Sequence, residues 1–242
     1  MELKYRISLW NYFHYHAVGS LERVVDQIKK AGYGVEIWPN WFEEQNLFDP
    51  IFRPRLRALL SDMESSIHGG GPDTFENHKM QIDTAAETGS DVVVVHSGHM
   101  RLGENPDFAF AQEVVDYARE RDVTIALENG ALPVLERALE NVEGLKICLD
   151  VGHVYFTPDP MKSFVDSLRK HICHLHIQDT LGEMDHYVPG TGIIPREDWH
   201  YLFRCLDEEG FSGAAVLEIR PRTPLQDAEL TKRFFDDLFE AM

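Results

Sequence analysis

Leu145-Lys146-Ile147-Cys148-Leu149-Asp150-Val151-Gly152-His153 is the stretch that decides the fold. Ile147 and Leu149 alternate with Lys146 and Cys148, which is the period of a β-strand, and Gly152 is expected to permit a sharp exit from it. Asp150 closes the strand, and His153 follows three residues later, within reach of the same edge. Taken alone, Asp150 reads equally as a turn residue accepting backbone N–H groups or as a ligand presented at a strand end.

Outward from this strand one unit repeats. Before it, strands are expected at Tyr5–Leu9, Gly34–Trp38, Ser65–His68, Asp91–His96 and Val123–Glu128. Helices are expected between them at Leu21–Ala31, Arg55–Glu64, Thr74–Thr88, Phe108–Arg121 and Pro133–Asn141. After it come a helix Pro160–Lys170, a strand Ile172–Gln178, a helix Pro195–Glu209, a strand Ala214–Ile219 and a helix Leu225–Met242. Eight short apolar strands alternating with helices imply a parallel sheet covered by helices, and at this length a closed α/β barrel of the (β/α)8, TIM type. With 242 residues, 43% of them hydrophobic, and no linker rich in Pro, Gly or Ser, one domain over residues 1–242 accounts for the whole chain. The longest aperiodic segments, Trp10–Gly19, Pro39–Asp49, Ser97–Pro106 and Asp179–Ile194, all follow strands, on the face that carries barrel active sites.

The 23 Lys and Arg against 41 Asp and Glu give a net charge of −18, which repels polyanions and argues against nucleic acid or an anionic membrane as main partner. Charges at Glu2, Lys4 and Arg6 stand where a signal peptide needs an apolar core, and no apolar run reaches membrane-spanning length, so a soluble, cytoplasmic protein is expected. Cys148, Cys173 and Cys205 have neither an even number nor paired spacing, and read as small hydrophobes. A homo-oligomer is compatible with all of this.

Residues two apart share a face of a strand, so parity assigns the barrel interior. Ile125 and Leu127, Ala215, Leu217 and Ile219, and Cys173, Leu175 and Ile177 take the helix-facing parity. That leaves His96, Glu128, Asp150, His174, His176, Gln178 and Glu218 pointing inward, with His68 closing the third strand in the same manner. Glu128, Asp150 and Glu218 would then converge on one mouth with no Lys or Arg at a strand end beside them. Carboxylates held that close need a compensating cation. A divalent metal answers the need: three carboxylates and one imidazole suit Mn²⁺, Mg²⁺ or Co²⁺, and His68 and His96 beside Glu128 would suit Zn²⁺ at a second site.

The pattern resembles the xylose-isomerase-like barrel superfamily, whose members include sugar isomerases and epimerases, inosose dehydratases and abasic-site nucleases of the endonuclease IV type. The marks are Val35-Glu36-Ile37, His68, Val94-Val95-His96, Leu127-Glu128-Asn129, Leu149-Asp150-Val151-Gly152-His153, His174-Leu175-His176-Ile177-Gln178-Asp179 and Leu217-Glu218-Ile219. The epimerase resemblance implies one metal held by Glu128, Asp150, His176 and Glu218, with His153 touching substrate. The nuclease resemblance implies further zinc ligands at His68, His96, His153 and His186, but the Asp expected two residues before His186 is Met184, and Asp185 falls one residue out of place. The Arg that the epimerases carry six residues after the seventh-strand His is Gly182.

Trp10, Tyr12, Phe13, His14, Tyr15 and His16 follow the first strand, and Trp38, Trp41 and Phe42 the second. Such rings either wall a sugar pocket, with Trp10, His14, Trp38 and His186 its expected lining, or plug the barrel top or a dimer contact. Gly190-Thr191-Gly192 has the form of a turn that could cradle a phosphate. The leading expectation is a metal-dependent isomerase or epimerase of a small ketose, aldose or polyol ketone, working by proton transfer through a cis-enediolate with Glu128 and Glu218 as base and acid and His153 orienting the substrate. The alternatives are an inosose-type dehydratase, a zinc phosphodiesterase like endonuclease IV, and a barrel that binds a sugar or partner protein without turnover.

Overall fold

The computed structural model describes residues 2–13, 19–41, 46–220 and 223–240. The strands predicted from alternation form within a residue or two of their expected ends: β1 Lys4–Ser8, β2 Gly34–Ile37, β3 Ser65–His68, β4 Val92–His96, β5 Thr124–Glu128, β6 Lys146–Asp150, β7 Ile172–Ile177 and β8 Ala214–Leu217. All neighbouring pairs are parallel, and β8 returns to β1, with Lys4 opposite Ala214 and Ile7 opposite Leu217, to close the barrel. Helices Leu21–Lys30, Arg53–Leu60, Phe75–Thr88, Phe108–Arg119, Leu132–Asn141, Met161–Leu168, Arg196–Glu208 and Pro224–Glu240 alternate with the strands along the chain. No helix among the described residues is long and apolar enough to cross a membrane.

Local chemistry sets the helix ends. Ser20 and Thr74 side chains accept from Arg23 N and Asn77 N, and Gly89, at φ 79°, ends its helix in the left-handed conformation. The helix expected from Arg55 instead starts at Arg53. Asp49 caps a 3₁₀ turn, Pro50–Phe52, that runs into it, and Pro54 is tolerated in the first turn. That helix stops at Leu60, where Ser61 turns extended and Asp62 takes φ 61°.

Parity places the core as expected on both faces. Val93, Val95, Ile125, Leu127, Ile147, Leu149, Leu175 and Ile177 are buried in the main core cluster, each such side chain contributing roughly 1.5–3 kcal/mol on burial. Val92, Val94, Ala126 and Cys148 form a separate small cluster inside the barrel. Cys173 departs from the expectation. It packs against this inner cluster, because the β6–β7 register shifts between Ile147, opposite Ile172, and Cys148, opposite His174. The extra residue breaks strict alternation, and beyond it Asp150 stands opposite His176.

The stretch that set the fold departs in one detail. Asp150 ends β6, a one-turn helix Val151–Val154 follows, and Gly152 has no positive φ. Its glycine leaves room for Gln178: a Cβ there would lie 2.7 Å from that side chain, which its bonds to Asp150 and His186 hold in place.

Candidate active site

Four inward residues from four strand ends meet at the barrel mouth. One ligand atom each from Glu128, Asp150, His176 and Glu218 lie within 4.8 Å of one another, and all four residues are buried. His176 Nδ1 is 3.5 Å from Glu128 Oε1, 3.5 Å from Glu218 Oε2 and 4.0 Å from Asp150 Oδ2, and it has no hydrogen-bond partner. A buried ring nitrogen facing three carboxylate oxygens without a bond to any is the donor arrangement of an oxygen-rich cation site, so the residues fit a divalent metal.

Around this centre the histidines fall into place. His68 is stacked on by Trp38 at 3.8 Å between ring centroids, pairs through Nδ1 with Gly69 O at 2.9 Å, and turns Nε2 to Glu128 Oε2 at 3.3 Å. His96 reaches the same oxygen at 3.2 Å from a side chain that is 47% exposed, so it stands at the rim. His153 Nδ1 lies 3.2 Å from Asp150 Oδ2 and 3.4 Å from Glu128 Oε1, and its Nε2 is 3.3 Å from Asp185 Oδ2. His186 stacks on Trp10 at 4.0 Å and pairs through Nδ1 with Glu218 O. His14, with Tyr15, His16 and Phe42, lies outside the described residues.

Asp150 caps the turn that follows it and also stands among the candidate ligands at the mouth. Its Oδ1 accepts from His153 N at 2.9 Å, as a helix cap, while Gln178 Nε2 donates to both carboxylate oxygens at 2.9 and 2.8 Å. Gln178 Oε1 also accepts from His186 N, so one amide ties Asp150 to the loop after β7. Asn129 continues the pairing of β5 and β6 through Asp150 N and O.

Burial and charge push the carboxylates in opposite directions. Burial would raise Glu128, but His176, His153 and His68 outweigh it and hold the group well below the usual carboxylate range. For Glu218 burial wins over the pull of His176 and His186, and its pKa is raised. Burial alone would lower His153, yet Asp150 and Glu128 push it up to about 10.

Two expectations about the loop after β7 are corrected. Asp185, not Met184, joins His153 and His186 in a further cluster within 4.8 Å, while Met184 is 48% exposed. His186 has φ 62°, and across this left-handed residue the residue count misjudges where Asp185 lies. The Gly190-Thr191-Gly192 turn is no phosphate cradle, because its donors are taken. Asp179, fully buried, accepts from Gly190 N and Gly192 N through Oδ2 at 2.9 and 3.0 Å, and from Thr180 N and Ile194 N through Oδ1 at 2.8 and 3.2 Å.

The aromatic cluster divides. Tyr12 and Trp41 are buried in the main core, 4% and 8% exposed. Trp10 and Trp38 line a cavity of about 330 Å³ with Asn40, His68, His96 and His99. Sequence reading passed over Ser8, whose Oγ accepts from Trp38 Nε1 at 2.8 Å and donates to Glu218 Oε1 at 3.3 Å. It also gave no role to Glu36, although inward parity between Val35 and Ile37 was the available signal.

Residues 25–238 match the family model described as xylose isomerase-like TIM barrel. Fructoselysine 3-epimerase of Shigella flexneri is 25% identical over 247 residues, covering 82% of this chain and 85% of its own. A D-tagatose 3-epimerase-like protein of known structure shares the fold with a TM-score of 0.77 at 22% identity, covering 99% of this chain and 98% of that one. D-allulose 3-epimerase from Methylomonas sp. gives 0.71 at 16% identity, covering 98% of each. With its barrel closed and the match extending over nearly all of it, the chain belongs to the xylose isomerase-like TIM barrel family.

Proposed function

We propose that the protein is a divalent-metal-dependent sugar epimerase or isomerase acting on a ketose at the carbon next to its carbonyl. The observation that carries this is His176 Nδ1, buried and unbonded, facing Glu128, Asp150 and Glu218. These four residues would hold the metal, with Mn²⁺, Mg²⁺ or Co²⁺ favoured by the hard donor set. Bound there, the cation supplies Lewis-acid polarisation of a carbonyl and neighbouring hydroxyl. Relatives that epimerise fructoselysine and allulose support a ketose substrate.

The rest of the chemistry belongs to the protein. Glu128 takes the proton from the carbon and Glu218 returns one from across the mouth, through a cis-enediolate of the sugar. His153, with 26% of its side chain exposed, orients a substrate oxygen. Trp10 and Trp38 stack on the apolar face of the sugar and shield the reacting carbon from water.

Exchange of substrate C–H with deuterated water, followed on D-tagatose, D-allulose and fructoselysine, tests the assignment. Glu128→Gln and Glu218→Gln are each expected to slow exchange by roughly 10²–10⁴-fold. Near-normal exchange in both variants overturns it, and elimination of a hydroxyl in the products converts it to a dehydratase.

A zinc phosphodiesterase is the second reading, favoured by the clusters His68–Glu128–His176, which shares Glu128 and His176 with the main one, and His153–Asp185–His186. It requires about two or more zinc ions per purified chain and cleavage of abasic-site DNA. The net charge of −18 opposes such a substrate.

A further inference from the structure

Behind the candidate metal ligands, on the barrel axis, lies a second polar layer that the proposed chemistry does not use. Glu36 on β2 and His174 on β7 are both 0% exposed, as is Ser66 on β3. Glu36 Oε2 accepts from Ser66 Oγ at 3.1 Å and pairs with His174 Nε2 at 3.0 Å. Its other oxygen, Oε1, has no hydrogen-bond partner and lies 3.2 Å from His176 Nε2, which has none either. The imidazole of His176 therefore stands between two carboxylate systems, Nδ1 toward the mouth and Nε2 toward Glu36.

We infer that Glu36 is a positioning residue, whose carboxylate, fixed by Ser66 and His174, holds the proton of His176 on Nε2 and so keeps Nδ1 free to bind a cation at the mouth. The inference rests on the metal-site reading given above. An imidazole ligates through the nitrogen that carries no proton, and what its other nitrogen bonds to decides which one that is. Glu36 Oε1 stands 3.2 Å from Nε2, within reach as its acceptor. A carboxylate serves better than a neutral acceptor, since it also strengthens the ring as a donor. Carrying a charge into the barrel interior is costly unless the charge is satisfied, and here a hydroxyl and two imidazoles surround it. Nothing in the packing of a (β/α)8 interior requires a charged residue at this level. The neighbouring inner cluster of Val92, Val94, Ala126 and Cys148 is filled without one.

The test uses full-length protein and Zn²⁺ as probe. Zinc affinity is measured by competition with a chromophoric chelator for wild type and Glu36→Gln, and the histidine side-chain nitrogens of the zinc-loaded proteins are read by long-range ¹H–¹⁵N NMR. Wild type is expected to show His176 with its proton on Nε2, in a deshielded position typical of a carboxylate acceptor. Glu36→Gln is expected to lose roughly 10–100-fold in zinc affinity and to shift that proton upfield while keeping its circular dichroism spectrum. Equal affinity in the two proteins, or a wild-type His176 bearing its proton on Nδ1, overturns the inference and leaves the metal site standing. Failure of wild type to bind zinc, Mn²⁺ or Mg²⁺ overturns the site reading as well. Should Glu36→Gln not fold, Ser66→Ala loosens the same carboxylate, with a smaller loss of affinity in the same direction expected, and the wild-type NMR result stands independently of any variant.

Discussion

The two ends of this barrel treat buried charge in opposite ways. At the amino-terminal end Arg6, 2% exposed, meets Asp91 with two parallel hydrogen bonds of 2.7 Å, Nη1 to Oδ1 and Nη2 to Oδ2, and Glu64 stands 4.0 Å away. At the carboxyl-terminal end Glu36, Glu128, Asp150 and Glu218 are at most 2% exposed, and among the described residues their ion-pair partners are all histidines. A guanidinium is a permanent cation that completes its own pair. An imidazole is a cation only when protonated, and otherwise offers a lone pair. The lower end is thus electrostatically closed, while the upper end is left open to a cation from outside.

The largest expected effect comes at the open end. Asp150→Asn should cost more zinc or manganese affinity than the roughly 10–100-fold typical of losing an outer partner. Its metal-free melting temperature should fall modestly, since the new amide turns a donor toward those of Gln178 and His153 while one crowded negative charge is removed. Equilibrium metal titration and thermal melts in chelator check both. At the closed end, Asp91→Asn strands the Arg6 charge. The expected cost is about 2 kcal/mol in denaturant unfolding, below that of a fully buried broken pair because Asp91 is 60% exposed. Metal affinity should not change. If Asp91→Asn loses metal while Asp150→Asn keeps it, the division between the ends fails.

The smallest effect sharpens how the open end manages without metal. His153 is raised from 6.5 to about 10, with the carboxylates of Asp150 and Glu128 prevailing over burial. Its folded pKa lies above the unfolded one, so its contribution to stability is complete below about pH 6.5 and is lost as pH rises toward about 10. Chelator-treated wild type should therefore lose melting temperature over that window, and His153→Gln should show a flatter profile. Parallel profiles would mean that another group neutralises the mouth.

Much of this was legible before any coordinates. Parity alone turned Glu128, Asp150, His176 and Glu218 inward, because a strand buried on both faces leaves a polar residue no choice but the axis or the rim. What escaped has physical causes. The bulge at Cys173 is a property of two strands together and leaves no mark in either one. The position of Asp185 depends on a left-handed residue, His186, and non-glycine positive φ is not announced by spacing. Glu36 was visible as a marked residue, but its partners His174 and Ser66 lie 138 and 30 residues away, a distance only closure of the barrel removes. Gly152 reads as a turn residue, whereas the space beside it is taken by Gln178, which only the next strand brings in.

Asp179 carries a consequence for the rigidity of the mouth. Four amides from Thr180 to Ile194 converge on its one carboxylate, so the segment after β7 is knotted to a single point at its base. Opening it means breaking all four bonds together, which makes this flank a fixed wall. The side chains of Met184, Asp185 and His186 are thereby carried on a fixed frame, and their positions are set by one buried carboxylate at its base.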